Sequence, residues 1–216
     1  VYADFKEHFD LGQQYLSNYQ YSAAITEFKS ALRINYMDNS ARIGLINSYI
    51  SRATYFANTE HNYSKAANDY RCALFYMMYY PQKVTNQQSL QQLISYLNIC
   101  LNRSNFNTSP ENRFQTAKTL RAEGNFAAAG FEFNQTLSDR NLQKDSFEQV
   151  GDIMKLLGNK EKAVEYYRKA VAVAPTNIPL RLSYAKMLDS VGQDDLAVAE
   201  YNYVLGKVGD DKDVLY

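Results

Sequence analysis

A chain of 216 residues that is 46% hydrophobic and 21% charged, with only 9 Gly and 4 Pro, can bury a core and is too apolar for a disordered segment. Few breakers over that length favour helices over a turn-rich β fold. The 23 basic and 23 acidic residues cancel, which argues against nucleic acid as a partner, because displacing counterions from phosphates takes a basic excess. No apolar stretch approaches the ~20 residues that cross a bilayer, so no membrane insertion by this segment is expected. The start at Val1 carries no initiator Met or signal pattern, which leaves the compartment, cytoplasmic or periplasmic, open.

In chain order, residues 5–38 and 39–80 each read as a helix pair. Residues 84–103 place Leu90, Leu93, Ile94, Leu97 and Leu101 on one face of an amphipathic helix, with no second helix after it. The stretch Ser104 to Pro110 is polar and turn-rich, the expected joint between two sub-stacks. From residue 110 a repeat takes over. Gly124, Gly158 and Gly192 stand 34 residues apart, as do Ala129, Ala163 and Ala197, then Phe133, Tyr167 and Tyr201, and lastly Ala117, Gly151 and Ala185. The small residue of the last column lets two helices cross closely. Each Gly ends a first helix in the left-handed conformation that satisfies its terminal carbonyls. Each Ala opens the buried face of a second helix, and the aromatic residue packs one turn further on. Pro175 stops the helix that begins near Glu161.

The segment 144–177 resembles the tetratricopeptide repeat (TPR), with Phe147, Val150, Gly151, Met154, Gly158, Ala163, Tyr167, Ala170 and Pro175 on the family's signature positions. Residues 110–143 and 178–211 keep its register, with Asn141 and Gly209 at the usual Pro position and Val204 at a usual Ala. Residues 5–38 match through Leu11, Gly12, Tyr15, Ala24, Phe28 and Ala31, and residues 39–80 through Leu45, Tyr49, Ala66, Tyr70 and Ala73. The interval from Leu45 to Ala66 is 21 instead of the family's 13, which puts an eight-residue insertion within 53–63. The resemblance implies an all-α fold, a TPR-type right-handed superhelix (solenoid) of antiparallel helix pairs with about eleven helices. It divides the chain into an N-terminal pair of repeats (1–80), a lone helix and joint (81–109) and a three-repeat stack (110–216). Solenoids end in a polar cap, and only Asp211 to Tyr216 follow the last repeat. The expectation is that the natural protein continues past this point or that the uncapped C-terminal end pairs with another chain, self-association included.

No phosphate loop, zinc motif or nucleophile elbow occurs, and no cofactor, metal or catalytic residue is expected. Cys72 and Cys100 fall in apolar runs and read as core residues. His8 reads as a packed or solvated helix residue, His61 as exposed. In TPR proteins the first helices line a concave groove that binds protein or peptide. The matching positions here are Phe9, Gln13 and Leu16, then Ile43, Asn47 and Ile50, then Phe114, Lys118 and Arg121, and finally Glu148, Asp152 and Lys155. The N-terminal part of that groove is apolar, which usually marks an interaction site. Where some relatives grip a C-terminal carboxylate with Lys and Asn, this chain has Phe9 and Gln13, or Phe114 and Lys118. The resemblance thus implies a non-catalytic protein–protein interaction scaffold. The alternative is an oligomerising or substrate-presenting arm of a larger enzyme or cell-envelope assembly.

Overall fold

The computed structural model describes residues 2–80 and 87–210. They form eleven helices and, among the described residues, no strand. The chain divides into two compact units, Val1–Glu132 and Phe133–Tyr216. These boundaries follow packing, whereas the boundaries at 80 and 109 expected from the sequence follow the repeat register.

The first unit holds α1 (Tyr2–Ser17), α2 (Tyr21–Ile34), α3 (Asn39–Asn58), α4 (Tyr63–Tyr79), α5 (Gln87–Arg103), α6 (Pro110–Ala122) and most of α7 (Phe126–Asn134). Helices α1/α2 and α3/α4 pack as pairs, α2 lies against α3, and α5 lies against α4. Helix α4 is the centre of the unit. Ala66, Ala67, every residue from Asp69 to Met77, and Tyr79 are buried, as happens when a helix has neighbours on several faces. One of those neighbours comes from beyond the 104–109 turn. A Cβ added at Gly130 of α7 would lie 2.4 Å from the Phe75 ring of α4, and Cys72 donates its S–H to Asn125 Oδ1 at 3.1 Å. Residues on both sides of that turn therefore pack into one body.

Helix α7 also brings the fully buried Glu132 to two arginines. Arg71 Nε donates to Glu132 Oε1 at 2.5 Å and Arg113 Nη1 to Oε2 at 2.8 Å. The Phe106 ring stands 4.9 Å from the Arg71 guanidinium and 5.8 Å from that of Arg113, within cation–π range. A second buried carboxylate, Asp69, takes a bidentate pair from Arg52 at 2.7 and 2.8 Å. Burial raises the Asp69 carboxyl above its usual range even so, because desolvation outweighs the attraction of the Arg52 guanidinium.

The second unit holds α8 (Gln143–Leu156), α9 (Lys160–Val173), α10 (Ile178–Asp189) and α11 (Asp194–Asp210). Helices α8/α9 and α10/α11 pack as pairs, and α9 lies against α10. A Cβ at Gly151 would be 3.4 Å from the Tyr167 ring, so the small-residue column does sit at a helix crossing. Ala163 is fully buried beside it. Ala163→Leu is expected to overpack this crossing and cost about 1–3 kcal/mol, read as a lowered thermal midpoint.

Helix ends follow the local chemistry. Asp38, Asn62, Ser109, Asn159 and Asn177 each accept a hydrogen bond from the backbone N–H three residues on, which satisfies one orphan donor per helix. Gly124, Gly158 and Gly192 have φ of 78°, 86° and 72°, as the repeat register requires. Their helices close with the same pair of bonds, in α8 from Gly158 N to Lys155 O and from Asn159 N to Met154 O. Tyr19, His61 and Asn105 take the left-handed conformation in the other half, with φ of 58°, 51° and 52°. Asn105 and Phe106 close α5 as Gly158 and Asn159 close α8, so α5 ends as a first helix does. Its buried stripe is Leu93, Leu97, Cys100 and Leu101, while Ile94 is 40% exposed. The expected uncapped end, Asp211–Tyr216, lies outside the described residues.

Candidate functional site

The groove positions fall on four helices. Phe9, Gln13 and Leu16 are on α1, Ile43, Asn47 and Ile50 on α3, Phe114, Lys118 and Arg121 on α6, and Glu148, Asp152 and Lys155 on α8. The first three trios belong to the first unit and the last to the second. Helices α1 and α3 touch, which brings the first two trios onto neighbouring elements. There Phe9, Leu16, Ile43 and Ile50 are half-buried, while Gln13 and Asn47 are exposed. Phe9 is committed to packing: its ring stacks on Phe5 at 6.1 Å and meets the Phe28 ring edge-on at 6.0 Å. On α6, Phe114 and Arg121 are half-buried and Lys118 is exposed. On α8, Glu148 lies 3.6 Å from Lys144 of its own helix, Asp152 accepts a hydrogen bond from Tyr167 of α9, and Lys155 is exposed.

A concavity in the first unit lies one helix further along than the apolar trios. A cavity of about 630 Å³ opens between the C-terminal turns of α3 (Thr54, Ala57, Asn58), the start of α4 (Tyr63, Tyr70) and α5 (Tyr96, Ile99, Arg103). That volume lies in the range of ligand sites. The α3 helix creates it by length. Its twenty residues run to Asn58, so the residues inserted between Leu45 and Ala66 appear as extra helical turns and a short turn, 59–62. Tyr70 and Tyr96 rings are 6.0 Å apart, and Arg103 lies over the Tyr63 ring at 5.2 Å while donating Nη1–H to Tyr63 Oη at 3.1 Å. Burial raises the Tyr70 phenol above its usual range, a shift larger than the opposing one from its Thr54 hydrogen bond. On the other side of α3, Tyr15, Tyr19, Tyr21 and Tyr55 help line a second cavity of about 520 Å³. Of the residues around these cavities, Tyr15 and Tyr70 stand on repeat signature positions, and the others were not singled out by the repeat pattern. Their signals in sequence were the 19 tyrosines and the insertion.

His8 pairs with Glu27 at 2.7 Å, and His61 is exposed. Among the described residues no group of three or more His, Cys, Asp or Glu could hold a metal ion, and no helix is long and apolar enough to cross a membrane. Both cysteines are buried and free, and burial pushes the Cys72 thiol up to about 12.

The tetratricopeptide-repeat family profile matches residues 145–177, which span α8, the Gly158 turn and α9. The chain carries a tetratricopeptide repeat. The Gly151–Tyr167 crossing and the left-handed Gly158 described above are features of that repeat. No curated protein matches the chain. Among solved structures, MamA aligns over 96% of this chain and 93% of its own, at 15% identity and a TM-score of 0.44. PilF of Pseudomonas aeruginosa aligns over 95% and 76%, at 15% identity and a TM-score of 0.42. The TPR2AB domain of yeast Sti1, solved as a complex with pHSP90, aligns over 98% and 93%, at 12% identity and a TM-score of 0.43.

Proposed function

We propose that this chain is a non-catalytic scaffold that holds a segment of a partner protein against its first helices, with its main apolar anchors on α1 and α3. The observation that carries the reading is that Leu16, Ile43 and Ile50 are part-exposed apolar side chains on two touching helices. Apolar side chains in that position gain from being covered. A photo-crosslinking residue at the exposed Asn47, between Ile43 and Ile50 on α3, tests it. Partner adducts are expected from position 47, and Ile43→Ala with Ile50→Ala should cut their yield about tenfold or more, as loss of central anchors does. Adducts from a crosslinker at exposed Arg33 of α2 and none from 47 would put the partner elsewhere and overturn the reading. Lys118, Arg121, Glu148, Asp152 and Lys155 are proposed as polar contacts of the same kind, each worth under ~1 kcal/mol where exposed.

A second reading is favoured by α11, where Leu196, Val198 and Leu205 are each more than half exposed. Under it the chain self-associates through this helix and serves as an arm of a larger assembly. Sedimentation should then give a dimer that Leu196→Glu with Leu205→Glu converts to monomer; a wild-type monomer at high concentration would sink it.

A further inference from the structure

Two of the phenols around the cavity between α3, α4 and α5 already accept hydrogen bonds. Thr54, at its rim, donates to the Ile50 carbonyl at 2.9 Å and lies 3.3 Å from Tyr70 Oη. Tyr96 Oη accepts from Gln92 Nε2 at 2.9 Å, and Tyr63 Oη accepts from Arg103 Nη1 at 3.1 Å. A phenol that already accepts keeps its one hydrogen to give. Tyr63 and Tyr96 therefore present O–H donors, and Arg103 has further N–H groups and no carboxylate partner among the described residues. Beside these donors Tyr96 is 40% exposed and Ile99 51% exposed, in a lining that also includes Ala57, Asn58 and His61.

We propose that this cavity docks a proline-rich segment of a partner protein in the polyproline II conformation. Such a segment is the peptide complement of a wall made of ring faces and donors. Proline has no N–H to satisfy, and the carbonyls of polyproline II point outward without internal partners. Its pyrrolidine rings are flat apolar bodies of the sort that dock in aromatic-lined grooves, and its preformed conformation lowers the ordering cost of binding. Tyrosine rings also line the cavity on the other side of the α3 terminus, together with Glu60. The inference rests on the reading of this chain as a binder of protein segments, but it uses α4 and α5 instead of Ile43 and Ile50.

The test is fluorescence anisotropy of labelled decaproline against the full chain, with a Gly-Ser decamer and a decaglutamate as comparison probes. Decaproline should bind saturably and the other two should not. Tyr63→Phe with Tyr96→Phe keeps both rings and should weaken decaproline binding about fivefold or more, through two lost O–H to carbonyl bonds. Ile43→Ala should leave it unchanged. No saturable decaproline binding, no effect of the paired Phe substitutions, or tighter binding of decaglutamate, which would make Arg103 a carboxylate site, would each overturn the inference. Loss of decaproline binding on Ile43→Ala would move the ligand to the apolar side chains of α1 and α3, sinking this site while sparing the scaffold reading. Failed crosslinking at Asn47 with decaproline binding intact would do the reverse.

Discussion

Glu132→Gln should lower the unfolding free energy by about 3–5 kcal/mol, because it leaves buried positive charge without its counter-ion. Glu132 is fully buried and is the only carboxylate in ion-pair range of Arg71 among the described residues. Arg71 is itself buried, and its Nη2 has no hydrogen-bond partner, so the cluster of two cations and one anion is already short of acceptors. Phe106 and Asn68 share the load: the ring lies over the guanidinium and Asn68 Oδ1 accepts from Nη1 at 2.8 Å. Neither supplies the missing negative charge. Arg113 retains some solvent access, with 14% of its side chain exposed, so most of the cost falls on Arg71. Urea unfolding followed by circular dichroism should show the loss as a lowered midpoint at unchanged slope. Adding Arg71→Met to Glu132→Leu should recover much of it, since an ion pair replaced whole by apolar side chains is often neutral or stabilising. A double variant as unstable as Glu132→Gln would mean that the cluster works through shape and not charge.

What was legible in the sequence was what is local. The 34-residue columns place Gly124, Gly158 and Gly192 at left-handed helix ends and Ala117, Ala129, Ala163 and Ala185 at fully buried positions. Each of these outcomes depends on residues a few positions away, so the pattern carries them. The N-terminal half hides the same turn geometry behind Tyr19 and Asn105, which are not glycine. Asn tolerates the left-handed backbone, whereas at Tyr19 it costs an ordinary residue roughly 1–2 kcal/mol, set against the packing of α1 on α2. The α4–α7 packing was illegible for a different reason: Arg71 and Glu132 are 61 residues apart, and a polar turn lies between them. Nothing in either segment alone names the other. Phe9 shows the same limit in the candidate site. Its repeat position reads as groove-facing, while its ring is half-buried against Phe5 and Phe28. The cavity at Tyr63, Tyr96 and Arg103 exists because α3 overruns the repeat length, which a fixed motif cannot anticipate beyond locating the insertion.

Phe28→Ala should cost about 3–5 kcal/mol, the range for emptying a fully buried aromatic site. Phe28 of α2 is fully buried and stands between two glycines of different helices. A Cβ at Gly12 of α1 would lie 2.8 Å from its ring, and one at Gly44 of α3 only 2.4 Å. The ring thus fills the space those two backbones leave and sets how closely α1 and α3 approach α2. The arrangement makes a sign change testable. In the wild type, Gly44→Ala should destabilise in spite of the ~1 kcal/mol gain in helix propensity, because a buried ring at 2.4 Å has to move. With Phe28→Ala in place, the same substitution should stabilise, since the propensity gain remains and the methyl group enters vacated space. Residues in contact show such coupling and distant ones do not. If Gly44→Ala had the same effect in both backgrounds, Phe28 would not be the spacer between α2 and α3. If the sign reverses, the spacing of α1 and α3, the two helices that carry Leu16, Ile43 and Ile50, is set by one fully buried side chain that a partner need not touch.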